Sequence, residues 1–245
     1  MYTLVADATV RIAAGQASTS EKSHLVATTT IRVEDIAAGV TTLTLTVAAR
    51  SLVRDGKAAQ VPAPQEIRMT VSADGRVTQV TGVGSSPASI EAADVEDLVP
   101  LIGPPLPPAP VHLGDRWTRA TGTLAPSPSI ASPSPSPTAT AAGTQGSRLA
   151  ALRVVRNYRC AIVAVSTRRP VVRERVIAQT PLRLEGIEFA ASEIAFAFRE
   201  GLPITVASDS EARLGISGGA AQGGSVVIST TTTLTLQRRT APGLR

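Results

Sequence analysis

The chain has 245 residues, of which 43% are hydrophobic and only 2% aromatic. Its formal net charge is +5, and nearly all the positive charge is arginine, because Lys22 and Lys57 are the only lysines. Acidic residues are interleaved along most of the chain and few aromatic rings are available to stack on bases, so the composition argues against a nucleic-acid binder.

Neither terminal nor internal segments predict a membrane span. The first fifteen residues, "MYTLVADATVRIAAG", lack the basic region and apolar run of a signal peptide. No apolar run approaches the roughly 20 residues needed to cross a bilayer. We therefore expect no transmembrane segment in this chain, and an export signal or lipid anchor would have to lie before Met1.

In the first hundred residues the hydrophobic pattern is that of half-buried strands. Residues 41–47 and 66–71 alternate aliphatic side chains with threonine or charged ones, which is the two-residue period of a strand with one buried face. The side chains predicted to be buried are Leu43, Leu45, Val47, Ile67, Met69 and Val71. Turns are predicted at residues 34–39 and 73–75, where a glycine ends a short polar or small-residue segment.

A helix followed by a proline run ends this first half. Apolar residues spaced three and four apart predict a helix from Ser89, its N-cap, to about Ile102. Prolines follow directly, and a helix cannot continue through them. We expect the proline run to carry the chain in an extended form to a turn at residues 113–115. Trp117, the only tryptophan, then enters the core of a second unit.

The second half opens with a low-complexity insertion and returns to strands. Residues 124–147 are rich in Pro, Ser, Thr and Ala and cannot bury enough apolar surface to offset the entropy of ordering them, so we predict disorder. A turn at residues 199–201 and a glycine-rich loop at 217–224 separate the later strands. The side chains predicted to face the core from these strands are Ile194, Phe196, Phe198, Ile228, Leu234 and Leu236.

The two halves resemble each other. The segment "TIRVEDIAAGVTTLTLTVAARS" aligns with "ALRVVRNYRCAIVAVSTRRP", and "EIRMTVSADGRVTQV" aligns with "EIAFAFREGLPITV". Any two β meanders of similar composition would also align, so duplication is a hypothesis. We predict an all-β, mostly antiparallel fold with one short helix, built from two pseudo-repeated β units and able to curve into a half-barrel.

The predicted organisation follows from these boundaries. Residues 1–103 form the first β unit and end in the short helix. Residues 104–123 form the proline-rich connection and the first strand of the second unit. Residues 124–147 are the disordered insertion, and residues 148–245 complete the second β unit.

One short motif carries a resemblance to a known group. Pro110, Val111, Gly114, Asp115 and Trp117 make a P-V-x-x-G-D-x-W element. It resembles a large, poorly characterised group of bacterial secreted proteins and lipoproteins, as do the "DG" turn before it and the threonine-rich strands after it. The resemblance implies a β fold and an envelope location but no activity. We interpret Pro110, Gly114, Asp115 and Trp117 as a structural motif. The chain departs from the group in lacking an export signal and a lipid-attachment cysteine.

Catalytic and metal-binding patterns are weak. Ser217 lies in "GISGG", which fits G-x-S-x-G, but a nucleophile elbow needs a helix after the serine and a glycine-rich loop follows instead. His24 and His112 have no evident carboxylate partner. Cys160 is the sole cysteine, which excludes an intramolecular disulfide or a cysteine-based metal site, and its apolar setting predicts a buried, unreactive thiol. We predict no catalytic, metal-binding or cofactor-binding residue and no cofactor.

The leading functional hypothesis is a non-enzymatic protein of the bacterial cell envelope. It would lie outside the cytoplasm and bind a lipid-like ligand, on an apolar concave face, or another envelope component. The alternative is a structural or interaction module that binds an acidic partner, such as lipid headgroups or an acidic polymer. Its surface would be the stretch from Arg148 to Arg183, which holds nine arginines against Glu174 alone. A hydrolase using Ser217 is the third and least supported hypothesis.

Overall fold

The computed structural model describes residues 1–75, 77–81, 103–104, 106–107, 109–121, 143–177, 180–217 and 223–237. Within these residues the chain is all β and has no helix, which confirms the predicted fold class. The helix predicted from Ser89 to Ile102 lies outside the described residues, as do residues 122–142 of the insertion and residues 218–222 of the predicted glycine-rich loop.

Twelve strands occur in the described part of the chain. They are β1 (Tyr2–Ala14), β2 (Ala17–Ala37), β3 (Val40–Arg54), β4 (Lys57–Ala58), β5 (Gln65–Ser72), β6 (Val77–Thr81), β7 (Arg116–Thr121), β8 (Gly143–Val155), β9 (Tyr158–Ile177), β10 (Thr180–Ala197), β11 (Leu202–Ser217) and β12 (Ser225–Leu236). Several of the strands exceed fifteen residues, which is long for a soluble protein.

All twelve strands belong to one open antiparallel sheet. Its order is β6-β5-β3-β2-β1-β12-β11-β10-β9-β8-β7, with β4 paired to the end of β3. The first and last strands of the chain meet at the centre, where β1 pairs with β12 from Tyr2–Leu236 to Ala13–Ser225. Strands β6 and β7 form the two ends of the order.

The hairpins aligned in the sequence occupy corresponding places in this order. The β2–β3 hairpin corresponds to β8–β9, and the β5–β6 hairpin corresponds to the ends of β10 and β11. Both halves run as meanders in the same direction along the sheet. That order is what duplication of one unit requires, and duplication itself stays a prediction.

One face of the sheet carries the core. Its larger cluster draws on β1, β2, β3, β5, β9, β10, β11 and β12, and side chains such as Leu45, Met69 and Leu234 have no exposed surface. A smaller cluster, around Leu214 and Val226, lies nearer the other end of the strands. The burial of Leu43, Leu45, Val47, Ile67, Met69, Val71, Leu234 and Leu236 confirms the prediction from alternation. Ile228 packs against the smaller cluster.

The prediction for the end of β10 was wrong for Phe198. Ile194 is buried as expected, but the next buried side chains are Ala195 and Ala197, and Phe198 is 50% exposed. The pairing of β10 with β11 shifts register between Ala195 and Phe196. The extra residue is Ile204 of β11, because Ala195 pairs with Thr205 and Phe196 with Pro203. Opposite this bulge the buried residues of β10 are Ala195 and Ala197, so the alternation that began at Ile194 does not continue. Phe196 still packs against the larger cluster from a partly buried position.

The end of the predicted insertion also needs correction. Strand β8 begins at Gly143, and residues 143–148 pair with β7. Ser147 is 5% exposed. By composition a segment rich in small residues resembles a linker. Here the backbone of residues 143–148 instead pairs with β7 as part of the sheet. The predicted disordered insertion therefore ends no later than residue 142.

The three predicted hairpin turns and the predicted burial of Cys160 are present in the structure. Glycines end the three predicted hairpin turns with positive φ, at Gly39 (77°), Gly75 (78°) and Gly201 (68°), a conformation that glycine adopts without steric cost. Cys160 is 1% exposed, its Sγ donates to the main-chain oxygen of Tyr158 at 3.5 Å, and burial raises the pKa of its thiol.

Candidate ligand-binding groove

The P-V-x-x-G-D-x-W residues lie where the chain enters β7. Gly114 has φ of +94°, and its N–H donates to the main-chain oxygen of Leu149 at 2.9 Å. The N–H of Leu149 in turn donates to the main-chain oxygen of Asp115 at 3.1 Å. The Asp115 carboxylate accepts the N–H of His112 at 2.7 Å. These contacts extend the β7–β8 ladder and fix the turn.

Further along the motif, Trp117 is partly buried and packs against the larger core cluster. Pro110 is exposed at the start of the segment. The motif residues thus lie at the entry to β7, and their structural role stays a prediction. No ligand-binding geometry converges on Pro110, Gly114, Asp115 or Trp117 in the described part of the chain.

An open groove of about 1000 Å³ crosses the face of the sheet opposite the core. It spans seven adjacent strands, from β7 through β8, β9, β10, β11 and β12 to β1. At the usual spacing of neighbouring strands, this is roughly 29 Å from the first strand to the seventh. The groove therefore suits an extended ligand.

Two rows of directly paired residues form the floor of the groove. In each row, every residue is the cross-strand partner of the next. The first row, from β7 to β1, is Thr118, Gly146, Ser166, Ala191, Asp209, Thr231 and Asp7. The second row, from β8 to β1, is Thr144, Arg168, Phe189, Glu211, Ser229 and Thr9. Small and hydroxyl-bearing side chains predominate in both rows.

The groove exists because polar residues alternate with small buried ones. In β1, Asp7 and Thr9 line the groove, while Ala6 and Ala8 are buried on the core face. In β12 the threonine run contributes to both faces: the side chain of Thr231 is exposed in the groove, whereas Thr232 is only 8% exposed. β-Branched threonine suits either face of a pleated strand, which lets one run of residues supply both.

Hydrogen bonds already order the acidic side chains at the β1 end of the first row. His24 Nδ1 lies 2.7 Å from Asp7 Oδ1, on directly paired positions of β2 and β1. Thr231 Oγ1 donates to Asp209 Oδ1 at 2.7 Å. Each carboxylate keeps acceptor capacity after these bonds, since an ionised carboxylate accepts about four hydrogen bonds. Both remain open to solvent.

The histidine partner was missed by the sequence analysis. His24 and Asp7 are seventeen residues apart and come together only through the register of β1 and β2. The sequence signal was the β1–β2 hairpin. Equal numbers of residues counted outward from the turn at Gly15, along each strand, pair Asp7 with His24. That count requires the turn and its register to be known first.

The second row supplies an aromatic surface. Phe189 is 47% exposed, and the guanidinium carbon of Arg168, its cross-strand partner, lies 5.8 Å from the ring centroid. This is a cation–π contact, which holds both side chains over the floor. Next to them, Arg213 Nε donates to Glu211 Oε1 at 2.6 Å. An exposed flat ring flanked by fixed hydrogen-bonding groups is a recurrent design of ligand sites.

Ser217 lies at the end of β11, and His24 is far from it. Its hydroxyl donates to the main-chain oxygen of Arg183 at 3.2 Å. His24 belongs to the row of Asp209, eight residues away along β11, which is roughly 26 Å in a strand. No group of three or more His, Cys, Asp and Glu residues that could hold a metal ion occurs among the described residues.

The arginines from Arg148 to Arg183 are divided between both faces. Arg168 lies over the groove, whereas Arg169 forms a buried ion pair with Glu188 on the core face. Others pair with single acids, as Arg153 does with Glu193 at 2.8 Å.

Comparisons with known proteins add little. No family model matches the chain, and no curated protein matches it. Among solved structures, the chain is similar to the hypothetical lipoprotein YmcC of Escherichia coli K12, with 10% sequence identity and a TM-score of 0.17. The match covers 93% of this chain and 85% of that one. Separately, no helix in the described ranges is long and apolar enough to cross a membrane.

Proposed function

We propose that the protein is a non-enzymatic binding protein of the bacterial cell envelope whose groove holds an extended, hydroxyl-rich, uncharged chain, such as a neutral polysaccharide. The observation that carries the proposal is the composition of the groove. One exposed aromatic ring lies among rows of hydroxyl and carboxylate groups across seven strands.

The chemistry of a sugar chain suits this floor. Sugar rings present C–H faces that pack on an aromatic ring, and their hydroxyl groups both donate and accept hydrogen bonds. Phe189 offers the flat apolar surface. Asp7, Asp209 and Glu211 offer charged acceptors, which form stronger hydrogen bonds than neutral ones. The threonine and serine hydroxyls can take either role.

The charge of the groove disfavours an acidic ligand there. Its lining includes three carboxylates, of Asp7, Asp209 and Glu211, and a single guanidinium, that of Arg168. An anionic polymer would therefore meet like charges over most of the floor. This counts against the acidic-partner hypothesis as far as the groove is concerned.

A lipid-like ligand has less support than a polar one. The apolar face is packed in the described part of the chain, with Leu45, Met69, Ile204, Val206 and Leu234 fully buried. The open surface instead presents hydroxyl and carboxylate groups around one aromatic ring. We therefore propose an envelope component other than a lipid as the ligand of the groove.

The envelope location rests on the sequence. The P-V-x-x-G-D-x-W element resembles that of secreted proteins and lipoproteins, and the Pro/Ser/Thr-rich tract is of a kind common in exported proteins. Fusion of the gene product, with its native upstream sequence, to a reporter that is active only outside the cytoplasm tests this part. A reporter that stayed inactive would contradict it.

The binding proposal is tested with immobilised polysaccharides and three variants. We expect the wild-type protein to bind at least one neutral polysaccharide on an array, with little change as salt is raised, since screening acts on charges. Phe189→Ala and Asp209→Asn should each weaken binding about tenfold. Phe198→Ala is the matched control, because Phe198 is equally exposed but lies outside the groove.

Three outcomes would contradict the proposal. The first is that the wild-type protein binds no polysaccharide. The second is that Phe198→Ala weakens binding as much as Phe189→Ala does. The third is that the bound polysaccharide is cleaved. The last result would leave the groove as the site and would overturn its non-enzymatic assignment.

A further inference from the structure

Three hairpin turns lie at one end of the sheet. They join β2 to β3, β8 to β9 and β10 to β11, and in an antiparallel meander alternate connections share an end. Register confirms the placement, since Ala197 at the end of β10 pairs with Cys160 near the start of β9. We call residues 33–40, 152–159 and 198–201 the hairpin end.

The hairpin end is rich in exposed hydrophobic side chains. Of the twelve large hydrophobic residues that are exposed in the described chain, six belong to it: Val33, Ile36, Val40, Leu152, Val154 and Phe198. Ile36 is 70% exposed, Val154 66% and Leu152 62%. At the other end of the strands Val61 and Val172 reach only 41% and 45%. Single exposed apolar residues are ordinary, but a set on three separate tips is not.

Basic residues accompany these side chains on the β8–β9 hairpin. Its tip, residues 152–159, reads "LRVVRNYR" and contains three arginines and no acid. Arg156 and Asn157 form the turn with positive φ, and Arg156 Nη1 donates to the main-chain oxygen of Leu236 at 2.6 Å. This bond fixes the tip to the body of the sheet. Arg153 and Arg159 are exposed beside Leu152 and Val154.

We propose that the hairpin end docks on the surface of an anionic lipid bilayer. Aliphatic side chains on convex tips are suited to a deformable apolar medium, and the boundary between headgroups and acyl chains is such a medium. Arginines beside them reach lipid phosphates while their stems remain in apolar surroundings. The β8–β9 tip is the positive one, whereas the β2–β3 tip carries Glu34 and Asp35 and the β10–β11 tip carries Arg199 and Glu200. The β8–β9 tip is therefore the part that meets the headgroups, and its charge selects an anionic membrane over a second protein surface.

The docked orientation leaves the groove accessible. Phe189 lies eight residues before Ala197 along β10, which places the aromatic surface roughly 26 Å from the hairpin end. The groove thus stays beyond the headgroup layer and faces the space where an envelope polysaccharide lies. Docking does not depend on the groove ligand, so each proposal stands or fails on its own.

Co-sedimentation with vesicles tests the proposal. The wild-type protein is expected to bind vesicles of phosphatidylglycerol and phosphatidylcholine more tightly than vesicles of phosphatidylcholine alone, and to bind them less well at high salt. Leu152→Ser combined with Val154→Ser should weaken binding at least about tenfold. Val61→Ser combined with Val172→Ser is the matched control at the opposite end, and we expect it to bind like wild type.

The same variants exclude the competing explanations. Thermal unfolding of each should match that of the wild type, because the replaced side chains are exposed. The proposal is overturned if the wild type binds neither kind of vesicle, or if the control pair loses binding equally. It is also overturned if sedimentation velocity shows a dimer that Leu152→Ser with Val154→Ser converts to monomer while vesicle binding is unchanged.

Discussion

Arg119 on β7 donates hydrogen bonds to both the main-chain oxygen and the carboxylate of Asp74, in the turn between β5 and β6, with 3.3 Å between Arg119 Nη2 and Asp74 Oδ2. Strands β6 and β7 are the two ends of the sheet order, so this contact joins opposite ends of one sheet. The N–H of Leu106 also donates to the Asp74 main-chain oxygen, at 3.3 Å. The sheet therefore curls until its ends touch, although they share no strand pairing.

The first prediction concerns this contact. Arg119 is only 13% exposed and Asp74 is 46% exposed, so Arg119→Ala should lower the free energy of unfolding by about 1–2 kcal/mol. Asp74→Ala should cost less, because the main-chain acceptor remains. Urea unfolding of both single variants and the double variant gives the coupling energy. Equal losses from the two single variants would contradict this geometry.

The strands and their buried faces were predictable from the sequence, whereas contacts between distant strands were not. The period of Leu43, Leu45 and Val47 specifies a strand and its core face without any knowledge of its neighbours. Pairs such as Arg119–Asp74 and His24–Asp7 depend on which strands meet and in which register. No local pattern encodes that information.

Local irregularities limited the prediction in the same way. The bulge at Ile204 of β11 lies opposite the end of β10, where Phe198 is exposed, yet the sequence of β10 alternates as a regular strand would. The groove was missed for a related reason. Its threonines, serines and acids come from seven strands, and each run alone resembles an ordinary solvated face.

A second prediction contrasts two glycines in paired strands. A Cβ at Gly186 in β10 would lie 1.8 Å from the main-chain oxygen of Arg213 in β11, which is far too close for two non-bonded atoms. A Cβ at Gly215 would meet nothing closer than 3.7 Å. Gly186→Ala should therefore destabilise the protein by about 2 kcal/mol or more, because the two backbones must separate.

Gly215→Ala is the control, and it should leave the free energy of unfolding within about 0.5 kcal/mol of wild type. Chemical denaturation measures both, and hydrogen exchange along β10 and β11 locates the disturbance. Similar stability of the two variants would show that β11 does not approach β10 as closely as described.

The third prediction concerns the buried ion pair of Arg169 and Glu188. Arg169 Nη2 lies 2.9 Å and 2.8 Å from the two carboxylate oxygens, with the side chains 15% and 5% exposed. Removing one charge leaves the other uncompensated in a poorly hydrated place, so Arg169→Met should cost about 3 kcal/mol. Arg169→Met combined with Glu188→Leu should recover most of that loss, because an apolar pair avoids the desolvation of both ions. A double variant less stable than Arg169→Met would contradict this account.

The fourth prediction is a loss of stability at alkaline pH that depends on Tyr2. Tyr2 is 5% exposed at the start of β1, and burial, with a smaller contribution from the nearby Tyr158, raises the pKa of Tyr2 to about 12. The unfolded chain releases this proton near its ordinary value of 10.0. Between these values the folded state binds more protons than the unfolded state. The free energy of unfolding must therefore fall as pH rises.

The stabilisation is fully present below about pH 10 and lost by about pH 12, for a total of roughly 2–3 kcal/mol. Urea unfolding across this range measures the slope, and the ultraviolet absorbance of tyrosinate reports the titration directly, since the chain has two tyrosines. Tyr2→Phe should remove most of the slope, because phenylalanine has no proton to release. Tyr158→Phe should keep most of it, because burial rather than Tyr158 is the larger cause. If Tyr2→Phe had the same alkaline slope as the wild type, Tyr2 would not titrate as a buried side chain, and its place in the core would have to be revised.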